Sequence, residues 1–389
     1  MDQETLPLSG IRVVEFSHMV MGPSVGVILA DLGAEVIKVE PRGGDQTRTL
    51  LGSGAGYFPM FNRNKKSLCL DLKSEAGLEA ARRLVARADI LIENFRPGTL
   101  ARLGLGYDAL SAIDPRLIYC SAKGFLKGPY EHRTALDEVT QMMGGLAYMT
   151  GPPGRPLRAG SSVVDITGGM FGVIGILAAL ERRHRTGTGG EVKCALYETT
   201  AFLVGQHMAQ MAVTGQAAQP MPVRVSAWAI YDVFETARAN EQLFVGVVSD
   251  GQWKTFCAAF DLAALGSDLD LAHNNQRVLA RDTILPQVRA LFQAMPRETL
   301  VAKLEGLGLP FAPIARPDEL FDDPHLLACG GLLDVTIPGG ETTRLPALPI
   351  EIDGERMTLR HDIPAIDQDA EAILRDLGYA ADQIAALTA

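Results

Sequence analysis

Apolar and polar positions in the first hundred residues switch repeatedly between a strand-like and a helix-like period. Ile11-Arg-Val-Val-Glu-Phe16 is a β-rich run, residues 24–32 have helical composition closed by Gly33, and residues 34–40 return to β character. Strand, helix and strand in such short succession predict a βαβ unit and a parallel sheet. Residues 67–73 alternate like a half-buried strand, 75–88 carry an amphipathic helical pattern, and 90–93 and 117–124 read as further strands. About four strands are expected before residue 165.

The central feature is Arg158-Ala-Gly-Ser-Ser-Val-Val-Asp165, a β-like run that leads into an apolar, glycine-studded segment of helical length ending at Glu181-Arg-Arg-His-Arg-Thr-Gly187. Asp165 is expected at this strand-to-helix junction, where unpaired backbone N–H groups favour negative charge. It reads either as a helix cap, a role aspartate fills well, or as a nucleophile. Beyond it, 191–196 predict a strand and 198–213 a helix.

A composition break falls at Thr214-Gly-Gln-Ala-Ala-Gln-Pro-Met-Pro222. After it, 229–234 and 242–248 read as hairpin strands, with helical segments to about 306. β character returns over 334–353, and 370–377 predict a short last helix. At 389 residues the chain exceeds one ordinary core. It is therefore divided into a large domain, 1–222, a smaller α+β domain, 223–325, and a C-terminal segment, 326–389, returning to the first.

Apolar content of 47% and charged content of 21% are those of a soluble globular protein. A net charge of -10 argues against a nucleic-acid surface. The apolar run 166–180 falls short of the roughly 20 residues of a membrane span, and the N-terminus lacks the marks of an export signal. A cytoplasmic protein without membrane partners is the expectation. The five cysteines are scattered and read as reduced and structural. The seven histidines have no ligand spacing, so no metal site is expected.

The first turn, Ser17-His-Met-Val-Met-Gly22-Pro23, has one glycine where a dinucleotide fold has three, so Glu40 only imitates a ribose-binding acid. Against the acidic background, Arg63, Lys65, Lys66 and Lys73 form the densest basic patch. That patch is an anion site or a solvated face. No Gly-x-Ser-x-Gly elbow, P-loop or EF-hand sequence occurs.

Five segments in order, residues 8–17, 32–41, 62–73 (Asn62-Arg-Asn-Lys-Lys-Ser-Leu-Cys-Leu-Asp-Leu-Lys73), 93–98 (Glu93-Asn-Phe-Arg-Pro-Gly98) and 165–181, resemble the motifs of the class III CoA-transferases of the formyl-CoA and carnitine-CoA type. The resemblance implies a Rossmann-like large domain with a parallel sheet, a smaller domain, and two ring-shaped subunits interlocked as a homodimer. It implies coenzyme A, carried as an acyl-CoA co-substrate beside a carboxylic acid, and no metal or redox cofactor. Asp165 matches the catalytic aspartate. Contacts to CoA map onto Met19, Met21, Arg42, Leu70, Lys73, Asn94, Phe95 and Arg102, and the basic patch acquires the CoA phosphates as its partner. The implied route runs through an aspartyl anhydride and an aspartyl-CoA thioester, with Gly168 and Gly169 as candidate oxyanion donors.

Two departures narrow what the resemblance implies. Val20 stands where the formyl-CoA transferase has a glutamine, which does not match an oxalate-type acceptor, and Ser249-Asp-Gly-Gln-Trp253 holds one glycine where that enzyme has a run. Related α-methylacyl-CoA racemases carry Gly-His-Asp where this chain reads Ala135-Leu136-Asp137, so their base is missing. Asp137 is either a second acidic group of the site or a loop residue. Arg133, Arg155 and Arg158 could hold a second carboxylate, pointing to a dicarboxylic acid such as succinate or mesaconate with succinyl-CoA or acetyl-CoA as donor; surface arginines are the other reading. A racemase and a CoA-ester binding protein without transfer chemistry are the alternatives.

Overall fold

The computed structural model describes residues 5–388. Six strands, β1 (Arg12–Phe16), β2 (Glu35–Glu40), β3 (Lys65–Cys69), β4 (Ile90–Glu93), β5 (Ile118–Lys123) and β6 (Gly190–Ala195), form one sheet in the order β3-β2-β1-β4-β5-β6. Every pairing is parallel. Five strands, rather than four, therefore precede Asp165.

Successive residues of the inner strands feed two separate cores, as a sheet covered on both faces requires. Val13, Val36 and Ile90 pack with the helix α1 (Met21–Asp31) and with Val173, Ile176 and Leu180 of the long helix Val163–Thr186. Val14, Ile37 and Leu91 pack with Ala80 and Leu84 of the helix Glu75–Val85 and with Ile373 and Leu374 near the C-terminus. The structure is thus an α/β fold with the Rossmann strand order.

β3 departs from the half-buried strand that its alternation predicts, since Lys65, Ser67, Leu68 and Cys69 are all buried. The C-terminal segment covers this edge. The Asp369 carboxylate accepts the Ser67 N–H at 2.9 Å, Asp369 N–H donates to the Ser67 carbonyl at 3.1 Å, and the Asp367 carboxylate accepts the Cys69 N–H at 2.6 Å. An exposed edge strand invites foreign pairing, and this cover removes the opportunity.

Two further expectations give way. Residues 158–162 form no strand, and the helix begins at Val163. The predicted helix 198–213 is two helices, Leu196–Leu203 and Gly205–Thr214. The long helix is, among the described residues, the one long and apolar enough to cross a membrane. In this fold it lies against α1 through its glycines: a Cβ on Gly169 would stand 2.7 Å from Ser24 Cβ and 3.0 Å from the Met21 carbonyl oxygen.

The chain divides into a larger unit, running to Pro222 and resuming at Phe321, and a smaller one, Val223–Leu320. The smaller unit has an antiparallel sheet of Tyr231–Glu235, Gln242–Gly246 and Phe311–Pro313. Its core is aromatic, with Phe234, Phe256 and Phe260 arranged around Phe292 at ring separations of 5.1 to 6.1 Å.

Candidate active site

In this sheet the chain order reverses between β1 and β4, and a parallel sheet opens a crevice at the carboxyl ends of the strands on either side of such a reversal. Two loops border that crevice, and they are tied together. His18 N–H donates to Asn94 Oδ1 at 3.0 Å, while Asn94 Nδ2 donates back to the His18 carbonyl at 2.7 Å. The His18 ring stacks on Phe95 with centroids 5.7 Å apart. Met19, held between these contacts, has a φ of 64°, a left-handed conformation that costs a non-glycine residue energy.

Beneath the loops lies a group of buried charges. Lys38 Nζ donates to the Ser17 carbonyl at 2.7 Å and pairs with Asp45 at 3.0 Å; Lys65 Nζ pairs with Glu15 at 2.8 Å and donates to the Pro23 carbonyl and Asn62 Oδ1. Burial pushes Lys65 down to about 8, with Glu15 opposing and the charge of Lys38 adding to the fall. Gly26 leaves the room for this pair, because a Cβ there would come within 1.7 Å of Glu15 Oε2.

These contacts correct the reading of the basic patch. Lys65 is spent on Glu15, Arg63 on Asp31 at 2.7 Å, and Lys66 on Glu35 at 2.6 Å. Buried cations must find acidic partners, so strand position rather than charge density decided their fate. Lys73 is the member of the patch that lines the crevice. Glu40 is likewise committed: its carboxylate takes Arg48, Ser67 Oγ and the Asp45 N–H, which together outweigh burial and hold it below the usual carboxylate range.

Two cavities occupy the crevice. One, of about 550 Å³, is lined by Arg42, Leu70 and Lys73. The other, of about 410 Å³, is lined by Met21, Asn94, Asp137 and Asp165. His18, Met19 and Phe95 belong to both walls. Arg102 lies in neither wall, and the Asn94 side chain is engaged by the His18 backbone. Arg133 lies in the second wall and stacks on Tyr130 at 4.1 Å. Arg158 pairs with Glu138, and neither Arg155 nor Arg158 reaches the cavities.

Asp165 sits in the first turn of the long helix, and it does not cap it. Asp137, 28 residues earlier, accepts the N–H groups of Val164 and Asp165 at 2.9 and 3.1 Å. Gln141 donates to the other oxygen of Asp137, and its carbonyl accepts the Ala159 N–H at 2.8 Å. The Asp165 carboxylate is half-buried and accepts no hydrogen bond among the described residues. Burial first, then the charges of Asp137 and Glu138, push it up to about 7 against the opposing pull of Arg158.

The oxyanion role expected of Gly168 and Gly169 fails on geometry. Both lie past the first helical turn, where the N–H is committed to the helical ladder. Their lack of a side chain serves packing on Met21 and Ser24. The part played by Gln141 escaped the sequence reading, although glutamine four residues after an acid on a helix is a legible pairing signal.

Residues 8–370 match CoA-transferase family III. The chain is 35% identical over 377 residues to the succinate–glutarate CoA-transferase of Agrobacterium fabrum, covering 92% of each protein. It is 33% identical over 379 residues to the acetyl-CoA:oxalate CoA-transferase of Acetobacter aceti, covering 95% of each. Among solved structures, a CAIB/BAIF family protein from Brucella suis is similar with a TM-score of 0.83 and 34% identity, over 95% of this chain and 99% of that one. With the match running through both the sheet and the crevice, the chain belongs to the class III CoA-transferases.

Proposed function

We propose that this enzyme moves CoA from succinyl-CoA or acetyl-CoA to a small, dicarboxylic acid, with Asp165 as the nucleophile. The observation that carries the reading is the state of Asp165: a half-buried carboxylate without a hydrogen-bond donor, in the wall of a cavity that shares His18, Met19 and Phe95 with the one lined by Arg42 and Lys73. An uncompensated carboxylate is more basic and more nucleophilic than a solvated one.

The Asp165 carboxylate attacks the thioester carbonyl, the C–S bond breaks, and the products are a mixed anhydride and CoA thiolate. The thiolate attacks the aspartyl carbonyl, expelling the donor acid and leaving an aspartyl-CoA thioester. The acceptor carboxylate attacks that thioester and releases the thiolate again. The thiolate then takes the acceptor acyl group from the second anhydride, regenerating the Asp165 carboxylate. Each step passes through an oxyanion. The amides at the start of α1, which no side chain caps, are the candidates to stabilise it, each donor being worth about 3 kcal/mol.

Arg42 and Lys73 would hold CoA phosphates, with Leu70 and Phe95 supplying apolar contact. Arg133, pre-oriented by its stack on Tyr130, is the group proposed to receive the far carboxylate of the acceptor. The relatives named for glutarate and oxalate transfer favour a diacid. A racemase reading gains nothing from the structure, since Leu136 lines the cavity at the place where those enzymes carry their histidine.

The test is a panel of mono- and dicarboxylic acids assayed with succinyl-CoA and acetyl-CoA, combined with hydroxylamine trapping and peptide mapping. A hydroxamate at Asp165 and loss of turnover in Asp165→Ala are expected. Full activity in Asp165→Ala would remove the nucleophile assignment, and diacid turnover unchanged by Arg133→Ala, or monoacids turned over as well as diacids by wild type, would remove the diacid assignment.

A further inference from the structure

We propose that Asp137 is a positioning residue: it occupies the N–H groups at the start of the long helix and so keeps the Asp165 carboxylate out of their reach and facing the cavity. The inference rests on the reading of Asp165 as nucleophile.

An aspartate in the first turn of a helix ordinarily turns back onto the unpaired N–H groups there, helped by the helix dipole. Such a carboxylate is compensated and a poor nucleophile. In this chain every one of those donors is taken. Val163 N–H donates to the Ser161 carbonyl at 2.8 Å and Ile166 N–H to the Ser162 carbonyl at 3.0 Å. Val164 and Asp165 N–H both go to one oxygen of Asp137. Nothing at the helix start remains for Asp165 to accept.

Asp137 is itself fixed for this task. It is 4% exposed, on the helix Asp137–Met143, and its second oxygen is held by Gln141, which is fully buried and anchored through the Ala159 N–H. A buried carboxylate is tolerable only when its oxygens are hydrogen-bonded, and these three donors meet that need. The arrangement joins the helix 137–143, the strand-less segment before Asp165, and the long helix into one unit. Its negative charge also lies beside Asp165, where Arg158, itself paired with Glu138, supplies the opposing pull. The remaining charged or titratable groups of the cavity wall are His18, Tyr57, Arg96, Lys123, Glu131 and Arg133.

Asp137→Asn keeps an oxygen for the two helix N–H groups and removes the charge; Asp137→Ala removes both; Gln141→Ala loosens the support. Steady-state kinetics over pH, hydroxylamine trapping, melting curves, and carbon NMR titration of the Asp165 carboxyl are measured for wild type and the three variants. Asp137→Ala is expected to lose roughly 10–100-fold in kcat, the worth of one buried charge-assisted interaction, while KM for acyl-CoA changes less than about threefold because the CoA cavity is untouched. Asp137→Asn is expected to retain more kcat, and the Asp165 midpoint falls in both. If Asp137→Ala does not fold, Asp137→Asn and Gln141→Ala carry the same comparison. An Asp165 midpoint and a kcat unmoved in variants that merely melt earlier would overturn the inference. Wild-type enzyme giving no adduct at Asp165 would instead remove the nucleophile reading, while the NMR midpoint still decides the positioning role.

Discussion

Replacing Asp165 by asparagine should make the folded protein more stable at pH 8 while abolishing transfer. The carboxyl titrates near 3.8 when unperturbed and at about 7 in the folded chain. A group whose folded value is raised contributes stability that is fully present below the unfolded value and is lost as pH rises through the folded one. Wild type therefore gives up stability between about pH 4 and pH 7 that Asp165→Asn, which carries no charge, does not. The full linkage between the two values is worth about 4 kcal/mol. Solvent entering the open cavity screens part of this, so about 1–2 kcal/mol is the working figure. For a folding unit of this size the corresponding rise in melting temperature is about 2–5 °C. Melting curves of both proteins from pH 4.5 to 8.5 test it: the gap should be near zero at the acid end and widen through neutrality. A gap that is constant with pH, or wild type more stable at pH 8, would refute the account of Asp165 as an uncompensated carboxylate.

Three more outcomes follow from the crevice. The rate of adduct formation with saturating acyl-CoA should climb with pH to a plateau with its midpoint near 7, since only ionised Asp165 attacks; a flat profile from pH 5.5 to 8.5 in rapid-quench measurements would contradict this. Glu15→Gln should cost about 3–5 kcal/mol in urea unfolding, because it leaves Lys38 and Lys65 buried without their shared acid, and Glu15→Gln with Lys65→Met together should cost less than Glu15→Gln alone. Lys73→Ala should raise KM for acyl-CoA roughly 10-fold with kcat within about twofold, as loss of one charge-assisted phosphate contact predicts; a change confined to kcat would place Lys73 elsewhere in the reaction.

The parallel sheet and the place of Asp165 at the start of a long helix were legible in sequence, because β-rich runs separated by helical periods are local signals. What the side chains of the same segments do was not. Lys65, Lys66 and Lys73 read as one basic patch, yet two of them meet Glu15 and Glu35 on other strands, and those pairings depend on register that only the folded sheet supplies. Val163 and Val164 carry β-branched side chains and read as a strand end. Their helical start is fixed by Asp137, a partner too distant in sequence for local propensity to register. The glycines after Asp165 suggested open amides near a thioester; helix packing against Met21 and Ser24 explains them without any such role.

Several carboxylates lie in and beneath the crevice, and they differ in the donors they receive. Glu15 is matched by Lys38 and Lys65, Glu40 by Arg48 and Ser67, Glu93 by Lys123 and Ser121, and Asp137 by Gln141 and two backbone amides. Burial disfavours the charge of Asp45 as well, but Lys38 and Thr47 more than offset it and hold its carboxyl below the ordinary range. A carboxylate compensated in this way is stabilised as a ground state and loses nucleophilicity with its basicity. Asp165 shares the burial without receiving any donor, and its neighbours Asp137 and Glu138 add repulsion. Under the proposed function, the partners of Glu15, Glu40, Glu93, Asp45 and Asp137 therefore act on the reaction by subtraction: they compensate these five acids and leave Asp165, among the six, the one without a donor.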